Sequence, residues 1–170
     1  GDVAHIFMEF VNGPSLEKML SDGTLPDRDT LLSFLRQVAA GLDHANKNGI
    51  VHRDIKPANL MLHLDTSTGE RTAKITDFGV AKFVSQQMTQ SGAMMGTPNY
   101  MAPEQIQGTT VDGGTDEFSL AVVAYELLTG EKPFAADYLP TLFYRIARED
   151  PQAPETLNST LDPAVGEVLN

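Results

Sequence analysis

The sequence predicts an α+β fold that is mainly helical, with short β-hairpins around one polar loop. Three observations predict it. Within 31–42 the apolar residues are spaced four, three and four apart, as on one face of a helix. Residues 115–128 are apolar on most sides, which is typical of a buried helix. Short apolar runs, typical of buried strands, flank the polar loop within IVHRDIKPANLML, residues 50–62.

The first half of the chain predicts a strand, two helices and a strand pair. Residues 3–11 favour a strand that leads into a turn at 12–14. Ser15 can cap a short helix over 16–21, and Pro26 and Asp27 open the long helix that Asn48-Gly49 ends. The strand pair around the polar loop follows, with its turn at 65–71.

The second half predicts one loop and three helices. Residues 80–100 are polar and without periodicity, which predicts a mobile loop. The buried helix over 115–128 stops at Gly130. Beyond Asp137 we expect two shorter helices separated by a Pro-rich loop at 151–163.

Composition narrows the class of protein. A chain of 170 residues suits one domain, and the absence of cysteine excludes disulfides, cysteine-zinc sites and thiol catalysis. This suits a cytoplasmic location, while a membrane anchor elsewhere in the full protein stays open. A net charge of −11 argues against nucleic acid as a partner, and it fits basic peptide substrates as well as a plain solvated surface. The longest apolar run, 120–128, is too short to cross a bilayer, so we expect no membrane span in this chain.

The most informative residues lie in and just after the polar loop. The stretch at 50–62 contains Asp54 and Asn59, and the stretch ITDFG at 75–79 adds Asp77. Transfer of a phosphoryl group needs oxygen ligands for Mg²⁺ and a carboxylate that orients a hydroxyl nucleophile. These residue types, held on a rigid support of short strands, therefore suit that chemistry.

These motifs resemble those of the protein kinase family, serine/threonine type and bacterial-like, over roughly residues 3–148. Lys56, together with Gly96-Thr97 before Tyr100, favours the serine/threonine branch. The residues that carry the resemblance are His52-Arg53-Asp54 and Asn59 for the catalytic loop, Asp77-Phe78-Gly79 for the metal-binding motif, Ala102-Pro103-Glu104 for the end of the activation segment, and Asp116 for the buried aspartate of a central helix.

The resemblance implies ATP and Mg²⁺ as cofactors and a protein or peptide substrate with a Ser or Thr acceptor. Asp54 is then the catalytic base, Lys56 contacts the transferring phosphate, and Asn59 and Asp77 hold Mg²⁺. The nucleotide would be bound by Met8, Glu9, Val11, Lys56, Asn59, Met61 and Asp77. The structural residues would be His52, a core histidine packed beneath Phe78, and Gly79, Glu104 and Asp116.

The resemblance also implies regulation. An Arg beside the catalytic base, here Arg53, is neutralised in the family by a phosphate on the activation loop. Thr89 and Ser91 are the candidate acceptors, with no basis in the sequence for choosing between them. Thr97 is expected to contact Asp54 and Lys56.

Parts of the family pattern are missing. No glycine-rich phosphate loop is found, and none of the six lysines lies in the strand setting of the phosphate-gripping lysine. We therefore expect a partial kinase domain over 1–170, with 1–12 as the end of the small lobe and the hinge, and 13–170 as the large lobe truncated before its last helix. Glu104 would then lack its usual buried Arg partner, at a cost if it stays charged and enclosed. Glu117 on the buried helix is either a buried charge or an outward-pointing one.

Two hypotheses follow. In the first, the chain is part of an ATP- and Mg²⁺-dependent protein serine/threonine kinase, and the isolated chain has little or no activity. In the second, it is a pseudokinase or a truncated binding or scaffold module. The presence of both Asp54 and Asp77 favours the first. The substrate, the activating signal and the oligomeric state stay open.

Overall fold

The computed structural model describes residues 8–78 and 98–169, and this part of the chain is mostly helical with one small sheet. The elements in chain order are α1 (Leu16–Asp22), α2 (Arg28–Lys47), β1 (Leu60–Leu64), β2 (Arg71–Ile75), α3 (Pro103–Gln107), α4 (Gly113–Thr129), α5 (Leu139–Arg148), α6 (Pro154–Leu157) and α7 (Pro163–Leu169). Single turns of 3-10 helix cover Pro57–Asn59 and Pro98–Tyr100. None of the helices in these described ranges is long and apolar enough to cross a membrane.

The first two helices begin and end where the sequence indicates. The side chain of Ser15 accepts a hydrogen bond from the Lys18 amide, and the side chain of Asp27 accepts one from the Thr30 amide at 2.9 Å. Each of these bonds satisfies an amide that the first helical turn leaves unpaired. The predicted N-caps of α1 and α2 are therefore confirmed.

A two-stranded antiparallel hairpin carries the polar loop. Leu60 pairs with Ile75 and Leu64 with Arg71, so the loop at 52–59 precedes β1 and Thr76 follows β2. Residues 12–15 lie along the other edge of β1. The amides of Leu62 and Leu64 each donate a hydrogen bond of 3.0 Å to a backbone carbonyl of this segment. The hairpin thus has a neighbour on its β1 side.

The long helices enclose the core. α4 lies against α2, and α2 also packs on β2. The buried apolar side chains form one cluster drawn from almost every element, including Leu31, Phe34, Val38, Leu42, Ile55, Leu60, Val122, Val123, Leu127, Leu142 and Ile146. The buried helix predicted over 115–128 is confirmed as α4, which ends at Gly130 with φ 80°. Glu117 points outward and is exposed, as its place in the first turns of α4 allows.

Three expectations about elements need correction or remain unresolved. The strand expected over 3–11 is absent from its described part, since residues 8–11 pair with no strand within the described ranges. The chain beyond Asp137 forms three helices rather than two, because a one-turn helix, α6, interrupts the Pro-rich stretch. Of the loop expected at 80–100, residues 98–100 form a 3-10 turn, and the rest lies outside the described residues.

Candidate functional site

The polar loop is fixed to α4 by one buried carboxylate. Asp116, only 3% exposed, accepts hydrogen bonds from the backbone amides of His52 at 2.7 Å and Arg53 at 2.8 Å. Charge-assisted bonds of this kind are stronger than neutral ones, especially away from water. Asp116 therefore holds the start of the loop in a defined position.

His52 is a core residue in this structure. It is fully buried, and its ring lies edge-on to the ring of Phe78 with 4.6 Å between centroids. Its Nε2 lies 2.8 Å from the carbonyl oxygen of Thr76, and its Nδ1 accepts from the Asp54 amide at 3.3 Å. A neutral imidazole protonated on Nε2 satisfies both partners. The expected packing of His52 against Phe78 is confirmed.

Asp54, Lys56 and Asn59 come together in one hydrogen-bonded group. The Oδ2 atom of Asp54 accepts from Lys56 Nζ at 2.7 Å and from Asn59 Nδ2 at 3.0 Å. Asn59 Nδ2 also donates to the Asp54 carbonyl at 2.7 Å. Within the described residues, the Oδ1 atom of Asp54 has no hydrogen-bond partner, and the side chain is 42% exposed. This oxygen can therefore reach an incoming hydroxyl group.

Asp77 lies beside this group because the hairpin brings it there. The amide of Thr76 donates to the Asn59 carbonyl at 2.9 Å, and Asp77 follows directly with φ 62° and an exposed side chain. The Nδ2 of Asn59 is used by Asp54, which leaves its Oδ1 facing outward from those bonds. One amide oxygen and one carboxylate are hard donors that fit Mg²⁺, an ion that keeps several waters and takes few protein ligands. No group of three or more His, Asp or Glu side chains suited to a metal occurs in the described part of the chain.

Arg53 adopts a left-handed backbone conformation with φ 69°. Its Nε atom is buried and has no hydrogen-bond partner among residues 8–78 and 98–169. The expected phosphate acceptors Thr89 and Ser91, as well as Gly79 and Thr97, lie outside the described residues. The geometry of the expected regulatory contact is therefore not described, and that contact stays a prediction.

Of the residues expected to hold the adenine group, Glu9 contacts the hairpin and Met61 belongs to it. Glu9 is joined to β2 by an ion pair with Lys74 at 3.1 Å, and Lys74 is the cross-strand partner of Met61. Met61 and Val11 are half-buried, whereas Met8 is 65% exposed. The ion pair therefore links Glu9 to the strand that pairs with Met61.

Glu104, expected to lack its usual buried Arg partner, accepts a hydrogen bond from another part of the chain. Its Oε1 accepts a hydrogen bond from the hydroxyl group of Thr115, a fully buried residue in the first turn of α4. Glu104 itself is only half-buried. The hydrogen bond from the Thr115 hydroxyl and partial access to water thus offset the cost of burying the Glu104 charge, and no cation is needed for this.

Sequence reasoning missed the side chains that attach residues 98–107 to the rest of the site. Gln105 donates to the carbonyl of Arg53 at 2.8 Å, and Ser119 donates to the carbonyl of Tyr100 at 2.7 Å. A Gln three residues after the N-cap of a Pro-led helix is a capping signal, and it could have indicated Gln105. No comparable signal marks Ser119.

Tyr100 also attaches residues 98–107 to α4. Its hydroxyl donates to Glu126 Oε2 at 2.6 Å, and Lys132 lies 3.7 Å from Glu126 Oε1 and 5.7 Å from the Tyr100 ring centroid. Burial raises the pKa of the Tyr100 phenol, and the hydrogen bond to Glu126 and the Glu126 charge raise it further. The phenol therefore stays neutral and holds its bond through the physiological range.

A family model described as "protein kinase domain" matches residues 1–166 of the chain. The chain belongs to the protein kinase family. Serine/threonine-protein kinase PknB of Mycobacterium leprae is 36% identical over 176 residues, a match to 99% of this kinase chain and 27% of the relative. Probable serine/threonine-protein kinases of Streptomyces coelicolor and Clostridium acetobutylicum are 37% and 35% identical, with 98% and 99% of this chain covered. The chain spans about a quarter of the length of these relatives, at 27%, 24% and 25%.

Proposed function

We propose that the full-length protein is an ATP- and Mg²⁺-dependent protein serine/threonine kinase. The observation that carries the proposal is the group formed by Asp54, Lys56 and Asn59, with Asp77 beside it. Kinase relatives with serine/threonine specificity in their names, aligned over nearly the whole chain, support the same conclusion.

The proposed reaction gives each residue of this group one task. The Asp54 carboxylate orients the Ser or Thr hydroxyl and takes up its proton as the new bond between oxygen and the γ-phosphorus forms and the bond to ADP breaks. Lys56, which holds one oxygen of Asp54 at 2.7 Å, lies where its charge can stabilise the transferring phosphoryl group. Asn59 keeps the carboxylate in place through its two bonds to Asp54.

Asn59 Oδ1 and the Asp77 carboxylate are the proposed ligands of the metal. Mg²⁺, when bound there, would neutralise phosphate charge and fix the orientation of ATP. We propose that the backbone of Glu9 and Val11, with the side chains of Met8 and Met61, contacts the adenine. A kinase that draws on ATP suits the cytoplasm, and we propose that location for this domain.

The proposed arrangement of the chain follows the same family pattern. Residues 1–12 would be the end of the small lobe and the hinge, and residues 13–170 would belong to the large lobe. The predominance of helices around one small hairpin supports this division. The Arg53 side chain, with its buried Nε unpaired in the described ranges, supports a role in binding a phosphate on Thr89 or Ser91.

The experiment is a phosphotransfer assay of the full-length protein with γ-labelled ATP and a basic generic protein substrate, with and without Mg²⁺. Asp54→Asn keeps the shape of the side chain but removes its charge, so the rate should fall about 100-fold or more while the KM for ATP stays nearly constant. Asp29→Asn, on the exposed first turn of α2, is the matched control and should leave the rate unchanged. Analysis of the labelled product should give phosphoserine or phosphothreonine.

Two results would overturn the proposal. A wild-type rate for Asp54→Asn would remove the role assigned to that carboxylate. Absence of Mg²⁺-dependent transfer by the wild-type full-length protein would instead support the scaffold hypothesis, which none of the observations above favours.

A further inference from the structure

The backbone at Arg53 is held from both sides, directly before the carboxylate of the site. On one side, the Arg53 amide donates to Asp116 at 2.8 Å. On the other side, the Arg53 carbonyl accepts from the side chain of Gln105 at 2.8 Å. The residue between these bonds has φ 69°, a conformation that costs free energy for any residue with a Cβ.

The next peptide group is also fixed at its two ends. Its carbonyl belongs to Arg53 and is bonded to Gln105, and its amide belongs to Asp54 and donates to His52 Nδ1 at 3.3 Å. Rotation of this peptide group would carry the side chain of Asp54 with it. Among the described residues, Gln105 is the one partner of this peptide group that comes from a distant part of the chain, since it lies 52 residues from Arg53.

The side-chain amide of Gln105 has only one orientation that satisfies both of its neighbours. Its Oε1 accepts from the Ala102 amide at 3.0 Å, and its Nε2 donates to the Arg53 carbonyl. A backbone amide can only donate and a carbonyl can only accept, so a flipped side chain would lose both bonds. Gln105 therefore joins the first turn of α3 to the polar loop in a fixed geometry.

We propose that Gln105 is a positioning residue for Asp54, and this inference rests on the kinase function proposed above. Gln105 would hold the Arg53 carbonyl so that the carboxylate of Asp54 stays aimed at the hydroxyl acceptor. The bond also links residues 98–107, which contain the end of the activation segment, to the reacting group. A small displacement of a catalytic group is enough to slow a reaction strongly, which gives a single hydrogen bond this influence.

The alternative role for Gln105 is a helix cap alone, and two substitutions separate the roles. Gln105→Glu keeps an oxygen for the Ala102 amide but, when ionised, has no donor for the Arg53 carbonyl. Gln105→Met has a similar length and loses both bonds. Gln107→Glu adds the same charge at an exposed position of the same helix and is the matched control.

The test compares these variants in the full-length protein. We expect Gln105→Glu and Gln105→Met to lower kcat alike, by about 10- to 100-fold, with the KM for ATP nearly unchanged. Gln105→Met should lower the melting temperature more than Gln105→Glu, because it also loses the cap bond to the Ala102 amide. Hydrogen exchange at the Arg53 and Asp54 amides should accelerate in both variants, and Gln107→Glu should behave as wild type in every assay.

The inference is overturned if Gln105→Glu keeps the wild-type kcat while Gln105→Met does not, since the cap would then be the whole role. It is also overturned if exchange at Arg53 and Asp54 is unchanged in both variants. Should the wild-type protein transfer no phosphate, the proposed function fails, and the exchange measurement still decides whether Gln105 holds the loop.

Discussion

Two residues of the site adopt a backbone conformation that residues other than glycine rarely take. Arg53 has φ 69° and Asp77 has φ 62°, and they lie on the two chain segments that the contact between His52 and Thr76 joins. Each such conformation costs about 1–3 kcal/mol and persists only where the surroundings enforce it. At Arg53 the enforcing contacts are the bonds from Asp116 and Gln105.

The first prediction concerns Asp116 itself. In Asp116→Asn, the remaining side-chain oxygen can still accept from one of the two loop amides. The new NH₂ group would face the second loop amide, and two donors cannot form a hydrogen bond. One buried donor is left unpaired and the charge-assisted bonds are lost, so the free energy of unfolding should fall by about 2–3 kcal/mol. Phosphotransfer should fall as well, because Arg53 would leave its strained conformation.

Urea unfolding of this domain within the full-length protein measures the change. Asp43→Asn is the control, since Asp43 is exposed on α2 and pairs only with Lys47 within the described residues. Equal losses of stability in the two variants would contradict the special role of the two loop amides.

At the residue scale the sequence indicates the candidate reacting groups but not all of the residues that support them. Asp54, Asn59 and Asp77 are recognisable because the chemistry dictates their type and spacing. Gln105 and Thr115 support the site through contacts that depend on how α3 and α4 approach the loop. Spacing along the chain does not encode that approach, and for this reason the hydrogen bond from Thr115 to Glu104 could not be predicted.

At the scale of elements, the segment at 12–15 matters because it lies along β1. The Leu62 amide donates to the carbonyl of Pro14 and the Leu64 amide donates to the carbonyl of Asn12, each at a distance of 3.0 Å. Gly13 lies between these two acceptors, with φ 153°. A Cβ at this position would lie 2.0 Å from the carbonyl oxygen of Leu62.

The second prediction follows from that close approach. Gly13→Ala should destabilise the domain by about 3 kcal/mol or more, because the clash is with backbone and cannot be relieved by a side-chain rotation. It should also raise the KM for ATP, since residues 8–11 would shift with it. Gly23→Ala, where φ is 65° but nothing lies within 4 Å, should cost only about 1–2 kcal/mol. A thermal melt of the two variants compares them, and equal losses would contradict the steric argument.

The two helices that sequence patterns missed, α3 and α6, begin with proline. Pro103 and Pro154 each occupy the first position of their helix. Proline suits this position because its missing amide would have no partner there. In a Pro-rich stretch the same residue also indicates a loop, and a one-turn helix such as α6 is too short to show a period. Longer helices with caps, such as α2 and α4, were predicted to within about two residues.

At the scale of the whole molecule, polar contacts between distant segments attach residues 98–100 to α4 and to the segment that follows it in this acidic chain. Residues 98–100 are tied to the helical body by Asn99, which donates to the Phe134 carbonyl at 3.1 Å, and by the bonds of Tyr100 to Ser119 and Glu126. Lys132 is the cation that faces Glu126, at 3.7 Å. With a net charge of −11, one further negative charge in this cluster would be strongly disfavoured.

The last prediction is therefore an alkaline loss of stability that depends on Tyr100. The pKa of its phenol is raised by burial and then by Glu126, so the folded state keeps the proton at a pH where the unfolded chain releases it. The contribution to stability is complete below a pH of about 10, the pKa of an unfolded tyrosine, and is lost as the pH rises further. Tyr100→Phe should lower the free energy of unfolding near neutral pH by about 1–3 kcal/mol, because the bond to Glu126 disappears.

The two stability curves should then converge as the pH is raised above 10, because the variant has no phenol at this position to ionise. Tyr125 contributes to the remaining slope, since burial and the charges of Glu131 and Glu155 raise the pKa of its phenol. Tyr144→Phe is the matched control, because Tyr144 is 62% exposed, and its curve should run parallel to that of the wild type. Urea unfolding at intervals between pH 8 and 11 gives the comparison. Parallel curves for Tyr100→Phe and wild type would mean that the Tyr100 phenol ionises as easily in the folded protein as in the unfolded chain.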